Sequence, residues 1–210
     1  MTHFSHEEIS KLEHLYKINL INSCSGFKSA NLIGTKSGDG IENVAIFSSV
    51  THVGSEPPLL GVFMRPTTVA RNTYDNIKET GFYTLNHVHE SIVSEAHHTS
   101  AKYDKQISEF DVTSLKSEYK PGIHVPFVAT APVQMHMEFV EEYNIKANGT
   151  ILIIGKIKAL FIQDNLLESD GFVNLSKGNV ATINGLDGYA IPKLKERHAY
   201  QRPKTTINTL

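Results

Sequence analysis

Residues 43–86 read NVAIFSSVTHVGSEPPLLGVFMRPTTVARNTYDNIKETGFYTLN and hold an uneven share of the side chains that could bind a ligand. Ser48, Ser49, Thr51 and His52 crowd one predicted strand, with more polarity than a strand that merely packs requires. Further on, Arg65, Arg71, Asn72 and Thr73 gather around the predicted start of a helix. Thr67 and Thr68 are spaced to cap that helix, which the pattern begins near Val69. The opening amides of a helix lack internal acceptors, and the macrodipole adds partial positive charge there. Arginines, hydroxyls and free amides at one such end make a seat for a phosphate. The same residues also suit a capped surface helix with solvated arginines, and the local pattern leaves both readings open.

Other chemistries find less support. His87 and His89 share a strand face if the strand runs that far, and His97 and His98 follow nearby. A metal site needs a third ligand and a partner that fixes the imidazole tautomer, and no His-Glu-x-x-His spacing occurs, so no metal site is assigned. The serines form neither a Gly-x-Ser-x-Gly elbow nor a Ser-x-x-Lys set with its usual companions. Cys24 is the single cysteine, which excludes an internal disulfide, and no motif lowers its pKa. There is no glycine-rich dinucleotide or P-loop fingerprint, so a nicotinamide, if used, is not held in that way.

The elements that must position these residues follow from periodicity and turn signals. Ser5, Glu7 and Glu8 open a lead-in helix over residues 1–16, with Ile9, Leu12 and Tyr16 at helical spacing. Ile18 and Leu20 alternate with polar residues and predict a first strand; residues 30–35 predict a second, before a Ser37-Gly38-Asp39-Gly40 turn. Residues 17–53 therefore read as an antiparallel meander. Pro57 and Pro58 force an extended turn, and the apolar run 59–64 predicts a strand covered on both faces. Residues 90–100 permit a helix. Residues 100–125 are a long polar connection of the kind that forms lids or binding loops. Val133–Ile145 and Thr150–Ile162 are long strands joined at Asn148-Gly149, a strong hairpin signal. Residues 171–210 lack periodicity and read as loops with room for a short helix. Seven or eight strands against three helices make a mainly β (α+β) protein, a barrel or sandwich with peripheral helices.

The 210 residues suit one domain, 1–210, and 40% hydrophobic content supplies a core. A net charge of −2 gives no reason to expect nucleic acid or an anionic membrane as partner. The polar N-terminus lacks a signal-peptide pattern, and no apolar run approaches a membrane span. With the lone cysteine, these point to a cytoplasmic protein.

Several stretches carry a resemblance by their order. They are Asn43-Val44-Ala45, Ser48-Ser49-Val50, Pro57-Pro58 and Arg71-Asn72-Thr73-Tyr74-Asp75-Asn76-Ile77. Gly81 to Asn86, Tyr103-Asp104-Lys105 and Arg197-His198-Ala199-Tyr200 with Pro203 complete the set. Together they resemble the flavin reductase-like family, flavoredoxin-like proteins with an FMN-binding split barrel. The resemblance implies an antiparallel split β-barrel with peripheral helices, and an oxidoreductase passing hydride from NADH or NADPH to FMN. It implies that Arg71, Asn72 and Thr73, with Arg65, serve the phosphate, and that Ser48, Ser49 and Val50 line the ring largely through backbone groups. Asn43 and Asn86 would meet the pyrimidine or ribityl part, with His87 beside them. A homodimer with flavin near the interface is implied too, as is a small-molecule or protein electron acceptor. The flavin carries the redox chemistry, so no catalytic side chain is assigned. The alternative is an FMN-binding electron carrier or redox sensor without turnover. A relative holding haem or a pyridoxal-type phosphate is a third reading; histidines in polar stretches speak against a haem ligand.

Overall fold

The computed structural model describes residues 1–203. Two helices open the chain, α1 (His6–Lys11) and α2 (His14–Cys24). The expected strand at Ile18 and Leu20 is instead part of α2. Glu13 caps this helix by accepting from the Tyr16 amide at 3.0 Å, and Leu15, Ile18 and Ile21 also satisfy helical spacing. Two alternating apolar residues are too few to separate the periods.

Seven strands then build one antiparallel sheet: β1 (Asn31–Lys36), β2 (Glu42–Phe47), β3 (Val50–Ser55), β4 (Pro58–Met64), β5 (Phe82–His87), β6 (Val133–Ile145) and β7 (Thr150–Ile162). Their order across the sheet is β2-β1-β5-β6-β7-β4-β3. The two edge strands, β2 and β3, are consecutive in the chain and separated only by Ser48 and Ser49. A sheet whose opposite edges are tied by two residues has to curl on itself. β2 and β3 nevertheless do not pair, so the barrel stays split along this seam.

The barrel interior is filled by Ile33, Val62, Tyr83, Leu85, Met137 and Ile153, all fully buried. A second apolar cluster on the other side of the sheet includes Leu32, Val44, Val88 and Phe110. Helix α3 (Asn72–Thr80) contributes Ile77 to the barrel cluster. It is fixed to the sheet by two buried bonds, Asn43 Nδ2 donating to Thr73 Oγ1 at 3.0 Å and Asn76 Nδ2 to Thr35 Oγ1 at 3.1 Å. Gly81 ends α3 at φ 76°, a left-handed stop that favours glycine.

The helix start differs from the sequence expectation. α3 begins at Asn72, with Arg71 in the cap position and no side-chain cap bond, so Thr67 and Thr68 lie in a preceding loop. The tertiary bonds to Thr73 and Asn76 outweigh the local capping signal. Strand β4 differs as well: Phe63 is 41% exposed, so the apolar run is not covered on both faces. The polarity of Thr51 and His52 has a plain cause, because both are exposed on the edge strand β3.

The long connection after residue 100 contains a four-residue helix, and a short helix precedes it: α4 (Val93–His98) and α5 (Glu109–Val112). Two short strands, Thr182–Asn184 and Gly188–Ala190, form a small sheet with Lys28–Ser29 where irregular chain was expected. Part of that expected segment, residues 204–210, lies outside the described residues. Among the described residues, no helix is long and apolar enough to cross a membrane.

Candidate functional site

A cavity of about 690 Å³ joins three pieces of chain: β2 with the Ser48-Ser49 corner, the stretch from Phe63 to Tyr74, and residues 99–105. The helix end and the serine corner, far apart in sequence, thus share one space. Seven residues named from sequence line it, namely Asn43, Ser48, Ser49, Arg65, Arg71, Asn72 and Thr73. The Asn43 amide donates to Thr73 Oγ1, which leaves the threonine proton free to point at a ligand. At the corner, Ser49 Oγ donates to the Phe63 carbonyl at 2.7 Å, and the Phe63 amide donates to the Ser49 carbonyl at 3.2 Å. This pair continues the β3–β4 ladder by one residue past Val50 and fixes the backbone of the cavity wall at the corner.

The other three residues are placed elsewhere. Val50 is half-buried and packs against the barrel cluster. Asn86 is fully buried and ties strands together: its amide donates to the Leu32 carbonyl and to Thr84 Oγ1, and its oxygen accepts from the Val128 amide. His87 ends β5 opposite Asn31, and its buried Nδ1 has no partner. Burial pushes its imidazole down to about 4. None of the three lines the cavity.

Lys102, Tyr103, Lys105 and Glu109 are among the lining residues that escaped the site assignment. Tyr103 and Lys105 had a signal in Tyr103-Asp104-Lys105 within a long connection, and Lys102 stands next to it. Tyr103 is held by His98, whose Nε2 lies 2.6 Å from its hydroxyl. Glu109 carried no sequence signal beyond its place next to the helix cap Ser108. It is buried at 5% exposure, and Oε2 accepts from the Val44 amide at 3.0 Å on the open edge of β2. Burial raises its pKa above the ordinary carboxyl range, and the bond from Val44 offsets part of that rise.

Arg65, Arg71, Lys102 and Lys105 make no ion pair among the described residues. Against them the lining sets Asp104 and Glu109. The cavity is therefore electropositive, and its first helical amides and Thr73 hydroxyl suit an anion's oxygens. Half-buried Ala45, Ile46 and Phe47, with Phe63, add apolar wall.

A split antiparallel barrel with such a cavity beside its seam defines a class of small-ligand barrels. The chain belongs to the flavin reductase like domain family, whose model matches residues 25–180. It is 43% identical to a split-barrel protein of Shewanella frigidimarina NCIMB 400 described as a candidate flavin reductase. That match covers 96% of this chain and 100% of the other, with a TM-score of 0.92. Component B of nitrilotriacetate monooxygenase from Bacillus cereus is 20% identical over 95% of this chain and 98% of its own, with a TM-score of 0.80. The 2-nitrobenzoate 2-nitroreductase of Pseudomonas fluorescens is 20% identical over 97% and 100%, with a TM-score of 0.79. At that identity the last two establish the fold.

Proposed function

We propose that this protein is a cytoplasmic oxidoreductase that binds FMN in the cavity and passes hydride from NADH or NADPH to it. The observation that carries the reading is the convergence of Arg71, Asn72 and Thr73 with the Ser48-Ser49 corner in one electropositive cavity. These residues fit a flavin phosphate: a half-buried guanidinium, helix amides and a hydroxyl whose oxygen is already occupied by Asn43. Arg65 and the two lysines add charge around that end. Bound there, the flavin supplies the two-electron chemistry. The chain's own part is to hold the phosphate, to present the fixed backbone of Ser48 and Ser49 to the ring, and to exclude water with Phe47 and Phe63. The residue 99–105 segment borders the same space and leaves a nicotinamide a route past exposed side chains.

A homodimer belongs to the same reading. α2 buries none of its residues, and Leu15, Tyr16, Ile21 and Phe27 are each at least half exposed in the single chain. A second copy covering them would bring a partner near the cavity, which Asn22 and Leu186 already border. Light scattering giving the mass of one chain, 23.3 kDa, would remove that part of the proposal.

The test of function is an absorption spectrum of the FMN-loaded protein before and after anaerobic NADH or NADPH. Flavin bands that bleach, and return with oxygen, are the expected result. Bands untouched by either nucleotide would leave a binding protein without reductase turnover.

A further inference from the structure

Glu109 stands out among the cavity residues because its chemistry is unfinished. The residue is 5% exposed; Oε2 accepts from the Val44 amide, and Glu109's own backbone amide also favours the charged form. Oε1 makes no hydrogen bond among the described residues, and the side chain lines the cavity. Oε1 is not sealed off from solvent, so it opens onto the cavity, where a donor on a ligand can reach it. Its position is held from behind, since the Thr113 hydroxyl donates to the Glu109 carbonyl at 2.6 Å and Phe110 beside it is buried in the outer apolar cluster. The backbone that carries the carboxylate is thereby fixed.

Its place along β2 indicates which part of a ligand it meets. Asn43 marks the helix end of the cavity through its bond to Thr73, and Ser48 marks the seam. Glu109 reaches β2 at Val44, one residue from the first mark and four from the second, or roughly 13 Å along an extended strand. It therefore stands just past the phosphate seat and short of the ring wall. In a flavin nucleotide that interval is filled by a chain of hydroxyl groups.

We propose that Glu109 is a binding residue for the polyol chain of the ligand, its Oε1 accepting a charge-assisted hydrogen bond from a hydroxyl. This rests on the flavin reading above and assigns the middle of the site, which the phosphate and ring residues leave open. Arg71, Lys102 and Lys105 in the same cavity keep the carboxylate compatible with a phosphate nearby, while Asp104 is the other acidic group of the lining.

The experiment is a fluorescence titration of wild type and Glu109→Gln with three flavins. FMN has phosphate and polyol, riboflavin has polyol alone, and lumiflavin has neither. Glutamine keeps an oxygen for the Val44 amide and presents NH₂ where the ligand needs an acceptor. FMN and riboflavin should both weaken by about 10- to 100-fold, the range for losing a charged hydrogen bond, while lumiflavin stays the same. Unchanged riboflavin affinity, or an equal loss with lumiflavin, overturns the proposal. If the variant does not fold, wild type still decides: riboflavin must bind at least about 10-fold tighter than lumiflavin, and equal affinities overturn it. Wild type that binds no flavin would bring down the flavin reading as well, whereas tight FMN binding indifferent to Glu109 brings down this inference alone.

Discussion

Thr73 and His87 show how one side chain can be committed by what its neighbours leave free. At Thr73, the Asn43 amide occupies one lone pair of the oxygen and leaves the hydroxyl proton free to be donated into the cavity that the residue lines. At His87, which is half-buried, Nδ1 is sealed off without a partner, and this desolvation favours the neutral ring. Its pKa falls from 6.5 to about 4 on folding, so between those values the unfolded chain binds the proton that the native protein refuses. The stability held above about pH 6.5 is therefore lost as pH falls through that window. His87→Gln should flatten this acid slope in urea midpoints measured from about pH 7 to about pH 4. A slope unchanged by the substitution contradicts the neutral, desolvated state. Residue chemistry of the first kind was legible in sequence, because arginine, asparagine and threonine sit together near a helix start. Glu109 was not legible, since its role depends on a strand edge that is 65 residues away in the chain.

Among the elements, the β6–β7 hairpin was read from sequence with the bounds it has in the structure, because alternation from Val133 to Phe139 and an Asn-Gly turn agree locally. Its two register shifts, at Ile154/Gly155 and Ile157/Ala159, were not foreseen. Pairing slips between Ile154 and Gly155, where the buried hydroxyl of Tyr83 from β5 presses against the glycine. A Cβ at Gly155 would overlap that hydroxyl, and Tyr83 is fully buried with no room to withdraw. Gly155→Ala should cost about 1–3 kcal/mol, as overpacking does, read as a lowered urea midpoint. A midpoint equal to wild type would mean that the barrel interior is looser than its packing indicates. The errors at α2 and at the start of α3 share one cause. Short local signals, two alternating residues in one case and a Thr-Thr pair in the other, lost to a capping glutamate and to bonds from β1 and β2.

On the scale of the whole molecule, function follows from how the sheet closes. Its edges meet through two serines without pairing, and the resulting seam is where the cavity lies. No periodicity in the sequence announces that closure; strand order alone reveals it. The resemblance supplied the barrel, and the closure explains why the serine corner and the α3 terminus share one space. The proposed function places a flavin in this shared space with its phosphate at α3. The most direct test is the affinity of the Arg71→Ala, Thr73→Val double variant for FMN and for riboflavin, measured beside wild type. Loss of a charged and a neutral hydrogen bond predicts FMN binding weaker by about 100-fold or more, with riboflavin nearly unchanged. Equal weakening of both flavins, or FMN affinity that survives the double substitution, would contradict the phosphate seat.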